Sequence, residues 1–158
     1  MVTIDVLIAT RDELLAAAYE SFLVVEGYRV KIVGTGIDCL GLLRKQPPQL
    51  LVIDPQLPWG GMGILQMLCT KDEQFDIPVI ILLDPYDPEP LPFLPHHASA
   101  VIFKPFVPTA MANLVQQLIP PDRNRFRLNH HVKGIQSLKR TIDWNRSPAI
   151  PNRSLAIN

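Results

Sequence analysis

Residues 50–58 read LLVIDPQLP. Leu50 to Ile53 is an uninterrupted apolar run, as expected of a strand buried on both faces of a parallel sheet, and Asp54-Pro55 closes it. Working outward, Ile4 to Ala9 (IDVLIA), Pro78 to Leu83 (PVIILL) and Ala100 to Phe103 (AVIF) have the same character, while Tyr28 to Val33 (YRVKIV) alternates. Between them lie helical patterns. Leu14, Leu15, Ala18, Phe22 and Val25 recur at helical spacing before Gly27, with Asp12 or Thr10 available as the cap. Ile37 to Leu43, followed by Arg44 and Lys45 and stopped by Pro47-Pro48, reads as a second helix. Ile64 to Thr70 and Thr109 to Ile119 read as two more.

The slot between the fourth and fifth strands is different. Pro85, Pro88, Pro90, Pro92 and Pro95 crowd it, and each interior proline costs a helix about 3 kcal/mol. The expectation is therefore an α/β fold, a doubly wound five-stranded parallel sheet with right-handed crossovers, whose fourth helix is disrupted by prolines. Ligand chemistry in such sheets sits beyond the carboxyl ends of the strands, here Thr10-Arg11-Asp12, Asp54-Pro55, Leu83-Asp84 and Lys104-Pro105.

At 158 residues, 47% of them apolar, the chain suffices for one ordinary core. Fifteen basic and fifteen acidic residues balance, so nothing marks nucleic acid or membrane as the default partner. The distribution is uneven. Thirteen acids and seven bases precede Pro120, whereas 120–158 carries eight bases and two acids. This shift divides the chain into a folded domain, 1–119, and a basic extension, 120–158. In the extension Val132, Ile135, Leu138 and Ile142 fall near one helical face, with Trp144 as a possible anchor for a partner or for docking back on the acidic domain, and flexibility is expected beyond Ser147. No winged-helix or helix-turn-helix unit fits there, so nucleic-acid binding is not expected.

Cys39 and Cys69 lie in helical segments, without a disulfide or CxxC pattern. No stretch reaches the roughly 18 apolar residues of a membrane span, and the first residues show no export signal; a cytoplasmic, unexported protein is expected. His96-His97 and His130-His131 lack metal-ligand spacing, and no Ser-His-Asp or Cys-His set can be assembled, so the chain is not read as an enzyme. Thr10-Arg11-Asp12-Glu13 is no flavin phosphate loop, and Gly34-Thr35-Gly36 is a turn rather than a dinucleotide motif.

LLVIDPQLPWGG, VIFKPF and the run EGYRVKIVGTGIDCLGLLRKQPPQLLVID together resemble the receiver (CheY-like) domain of two-component response regulators over about residues 3–119. The resemblance implies a flavodoxin-like strand order 2-1-3-4-5, Asp54 at the phosphoacceptor position, Lys104 at the position of the family's lysine and Pro105 at its cis-proline. It also exposes departures. The two adjacent acids that hold Mg²⁺ in receivers fall at Thr10 and Arg11, a hydroxyl and a cation, so Mg²⁺ binding is not expected unless a one-residue slip brings Asp12 in. Asp12 otherwise caps the following helix. The switch hydroxyl and switch aromatic fall at Leu83 and Val101, neither of which can act as the family's residue does.

The resulting expectation is an atypical receiver, or pseudo-receiver, in which Arg11 and Lys104 pair with Asp54 and hold the loops without phosphorylation. A plainer role for Asp54 is to accept backbone N–H bonds in its loop. The output is then binding to a signalling protein, a histidine kinase or a transcription regulator among them, with Phe106 and Trp144 as contact residues and a homodimer as a further partner state. Two alternatives stand beside it: a working phosphoacceptor served by a histidine kinase, and a structural or assembly subunit that uses the fold.

Overall fold

In a computed structural model the structure describes residues 3–69, 76–86, 98–104 and 106–121. The chain divides into two units, Met1–Asp122 and Arg123–Asn158, the second lying outside the described residues together with Trp144 and the expected amphipathic segment. The first unit runs β1 (Val6–Ala9), α1 (Glu13–Val25), β2 (Val30–Val33), α2 (Gly36–Lys45), β3 (Leu50–Ile53), α3 (Gly61–Cys69), β4 (Val79–Leu83), β5 (Ala98–Phe103) and α4 (Pro108–Leu118). The five strands are parallel in the order β2-β1-β3-β4-β5, as the sequence led us to expect.

The continuous apolar runs have their explanation in two cores, one on each face of the sheet. Alternate strand residues Leu7, Leu51, Ile53, Val79 and Ile81 pack under α2 and α3 against Cys39, Leu43, Ile64, Leu65 and Leu68. Their neighbours Val6, Ile8, Leu50, Val52, Ile80 and Leu82 pack on the other face under α1 and α4, against Ala16, Tyr19, Leu23, Met111 and Val115. A strand that must satisfy both cores has no place for a polar residue, hence LLVI rather than alternation.

Element ends follow local chemistry. Asp12 caps α1 by accepting from the Leu15 N–H at 3.0 Å, and Gly27 ends it at a φ of 94°. Thr35 caps α2 through the Asp38 N–H at 3.1 Å. Pro108 opens α4, where its missing N–H costs nothing.

Four element starts differ from expectation by two residues or more. β1 and β2 begin two residues later than the apolar pattern suggests, because Asp5 and Arg29 are taken up by one another: the Asp5 carboxylate accepts from Arg29 N at 2.8 Å, Nε at 3.0 Å and Nη2 at 2.8 Å, and from Gln49 Nε2 at 3.2 Å. α3 starts at Gly61, three residues before the expected Ile64. The glycines there mimic a turn in sequence, but a Cβ on Gly61 would stand only 3.0 Å from the Asp54 carbonyl oxygen, so its role is close packing of the helix start on the β3 loop. β5 begins at Ala98 rather than Ala100. The proline-rich slot at 87–97 lies outside the described residues.

Candidate functional site

Because β1 and β3 are neighbours with Ala9 beside Ile53, the residues that follow them, Thr10 and Asp54, emerge side by side. β5 lies beyond β4, and the Lys104 N–H donates to the Leu83 carbonyl at 2.8 Å, which fixes the lysine backbone at the same end of the sheet. The long lysine side chain then reaches back past β4. Its Nζ donates to Asp54 Oδ2 at 2.8 Å. Thr10 Oγ1 donates to the same oxygen across a long 3.5 Å, and Asp54 Oδ1 accepts from the Gln56 N–H at 2.9 Å.

Asp54 is 2% exposed and Thr10 1%. An ionised carboxylate at such depth is tolerable only when paired and hydrogen-bonded, and both its oxygens are. Two roles read as alternatives in the sequence therefore coexist: one oxygen serves the ammonium and the other the loop backbone. The loop is itself anchored, with Asp54 N donating to Ala9 O at 2.9 Å and Leu57 N to Asp54 O at 3.0 Å.

Arg11 does not join this cluster, contrary to expectation. It is exposed, and among the described residues it has no ion pair with Asp54 or any other acid. The reason is its place immediately before the Asp12 cap, where the chain turns outward into α1 and a guanidinium keeps its hydration. Arg11 instead borders an open depression of about 490 Å³ lined by Gln56, Leu57, Gly60, Gly61 and Met62 among others.

The remaining expected positions are spread out. Leu83 is half-buried against the α2/α3 core and contributes its carbonyl, while Val101 stands 37% exposed on β5 opposite Ile81. Pro105 lies outside the described residues. Phe106, expected at a partner surface, is half-buried and stacked on Tyr19 with ring centroids 4.7 Å apart. Tyr19 is fully buried with its hydroxyl unpartnered among the described residues, and burial, reinforced by the charge of Asp12, pushes that hydroxyl far above its ordinary pKa. Burial alone raises the Cys39 thiol to about 12.

Two features escaped the sequence reading. The Thr10–Asp54 contact was hidden because Thr10 was read as a lost acid or a helix cap, not as a donor to Asp54. Trp59 adopts a φ of 60°, in the left-handed region unusual for a bulky residue, and holds its indole 75% exposed beside the depression. The glycines that follow it, Gly60 and Gly61, were the available signal of an irregular turn. Among the described residues no three or more His, Cys, Asp or Glu side chains gather as a metal site, and no helix is long and apolar enough to cross a membrane.

No protein-family profile matches the chain. It is similar to the regulatory protein LuxO of Vibrio vulnificus, 36% identical over 69 residues, 43% of this chain and 15% of that protein. It is similar also to LuxO of Vibrio cholerae, 25% identical over 130 residues, 82% of this chain and 26% of the relative. The transcriptional regulatory protein AfsQ1 of Streptomyces coelicolor is 33% identical over 79 residues, 49% of this chain and 34% of its own. The chain thus spans a third or less of these relatives. Among solved structures, a putative response regulator from Chloroflexus aurantiacus superposes with a TM-score of 0.64 at 23% identity, covering 74% of this chain and 98% of its own. The signal receiver domain of a putative LuxO repressor from Vibrio parahaemolyticus gives 0.58 at 21%, covering 84% and 99%. At these identities the likeness is one of fold: residues of the first unit adopt the response-regulator receiver fold.

Proposed function

We propose that this chain is a receiver-type module of two-component signalling that works by binding a protein partner, without a phosphorylation cycle at Asp54. The observation that carries the reading is the state of Asp54. Its Oδ2 already holds the Lys104 ammonium at 2.8 Å and its Oδ1 the Gln56 N–H at 2.9 Å, so the charge that phosphorylation would reorganise is satisfied in the resting protein.

The donor set supports the same reading. Mg²⁺ asks for several oxygen ligands near 2.1 Å in an octahedron, with carboxylates the usual protein donors. Here Asp54 brings one carboxylate, Thr10 a hydroxyl and Lys104 a cation, while Asp12 spends its carboxylate on the α1 cap. These residues do not fit the ion. The partner is a signalling protein such as a histidine kinase or a transcription regulator, in keeping with the regulatory proteins to which the chain is similar.

The second reading, a working phosphoacceptor, is favoured by the place of Asp54, a carboxylate immediately after β3 at the carboxyl end of the sheet, where the resemblance puts the acceptor. Intact mass after incubation with acetyl phosphate, with and without Mg²⁺, separates the two. The proposal expects no adduct on the wild type, and an adduct on Arg11→Asp if restoring an acid there restores ion binding. A Mg²⁺-dependent adduct on the wild type that vanishes in Asp54→Asn establishes phosphotransfer instead. If Asp54→Asn folds and binds every partner as the wild type does, Asp54 is a structural residue of an assembly subunit.

A further inference from the structure

A helix on the surface of an α/β domain ordinarily turns a charged face to water. α1 does not. Its inward face is Ala16, Tyr19 and Leu23, all fully buried, yet the opposite face is Leu14, Ala17, Ala18, Ser21 and Val25. Leu14 is 86% exposed and Val25 38%, with Val24 beside them at 53%. The single hydroxyl on this face is withdrawn from it, because Ser21 Oγ donates to the Ala17 carbonyl of its own helix at 2.8 Å. The only charged residues of α1 are Glu13 and Glu20, which helical spacing places together on one flank.

We infer that this face pairs with the same face of a second copy, α1 against α1 in antiparallel order about a two-fold axis. Leu14, Ala18, Ser21 and Val25 are separated by four, three and four residues. That is the 3.5-residue spacing of a two-helix seam, and it reads the same in reverse. Under the two-fold, Leu14 of one copy meets Val25 of the other, and Ala18 meets Ser21. The large side chains fall at the two ends and the small ones in the middle, which allows helix axes to approach to about 8 Å.

Charge agrees with the antiparallel sense. Arg11, at the amino end of α1, lacks an ion pair among the described residues, whereas the carboxyl end bears Glu26, which accepts from the neutral Gln116 Nε2 at 3.1 Å and so keeps its charge unneutralised by that contact, and no basic side chain in its last turn. Antiparallel pairing brings each Arg11 toward the other copy's Glu26 end and opposes the two helix dipoles. A parallel pair would set like ends together. The pairing is independent of the chemistry at Asp54 and survives the failure of either reading of that site.

The test is sedimentation equilibrium of the full chain, with Ala18→Glu and Ala18→Lys as variants at an exposed helical position. The wild type is expected to sediment as a dimer, and each variant to associate about a hundredfold more weakly or not at all, since like charges then meet across the seam. Mixing the two variants is expected to restore a one-to-one dimer, which a folding defect could not do. A wild type that stays monomeric throughout overturns the inference, and so does a dimer that both variants leave intact.

Discussion

Lys104 and Asp54 immediately follow β5 and β3, strands that are not neighbours, and their 2.8 Å contact bridges the intervening β4 at the carboxyl end of the sheet. Asp54 is the better buried of the two, with its side chain 3% exposed against 18% for Lys104. The pair is therefore asymmetric. A stranded Lys104 can swing toward water, whereas a stranded Asp54 cannot.

Lys104→Met is accordingly expected to lower the unfolding free energy by about 3 kcal/mol, the usual scale for leaving one member of a buried pair uncompensated. Asp54→Asn should cost less. In the double variant the second change should recover most of the loss, which a urea-denaturation double-mutant cycle measures directly. Equal losses for both single variants would show that the asymmetry has no energetic weight.

At the other end of the sheet, Asp5 holds Arg29 and Gln49 together across β1, β2 and β3. Arg29→Met should destabilise by about 2 kcal/mol, discounted because the guanidinium is partly solvated. Its effect should add to that of Lys104→Met within about 0.5 kcal/mol, as the two pairs lie at opposite ends of the sheet.

Tyr19→Phe removes a buried hydroxyl that has no partner among the described residues and keeps the ring that stacks on Phe106. Thermal melting should show it neutral or stabilised by about 1 kcal/mol. A clear loss of stability would mean that the hydroxyl has a partner after all.

Alkaline pH should unfold the protein through the buried phenols of Tyr19 and Tyr28 and the buried thiol of Cys39. Tyr28 is raised from 10.0 to about 12, first by burial and then by Glu26 and Asp5, and its hydroxyl donates to the Ile119 carbonyl at 2.7 Å. Since the folded pKa exceeds the unfolded one, the contribution is complete below pH 10 and disappears as pH climbs toward 12. Denaturant midpoints measured across that interval should fall less steeply for Tyr28→Phe than for the wild type.

The strands themselves were legible because buried parallel strands leave a continuous apolar signature and their closing residues stand out against it, whereas the strand order and the meeting of Asp54 with Lys104 were implied by the resemblance to receivers. Arg11 was misplaced for a different reason. The resemblance to receivers put it beside Asp54, but a matched position carries no information on whether a side chain turns inward, and a cation one residue before a helix cap is cheaper to leave in water. Gly61 looked like a turn because glycine serves both bends and close approaches. Asp5 was passed over as a blemish in an apolar run, although an acid at that depth demands a partner and Arg29 was the available one.

β5 has consequences for handling the protein as well. Ala98–Phe103 occupies one end of the strand order and contains no charged residue, while Val101 and Phe103 are 37% and 57% exposed. The opposite edge strand, β2, carries the exposed Lys31 as a gatekeeper. Charges on an edge strand deter strand-to-strand aggregation, so concentrated solutions should precipitate by way of β5 before β2. Ser99→Lys would supply the missing deterrent and extend the shelf life of the purified domain.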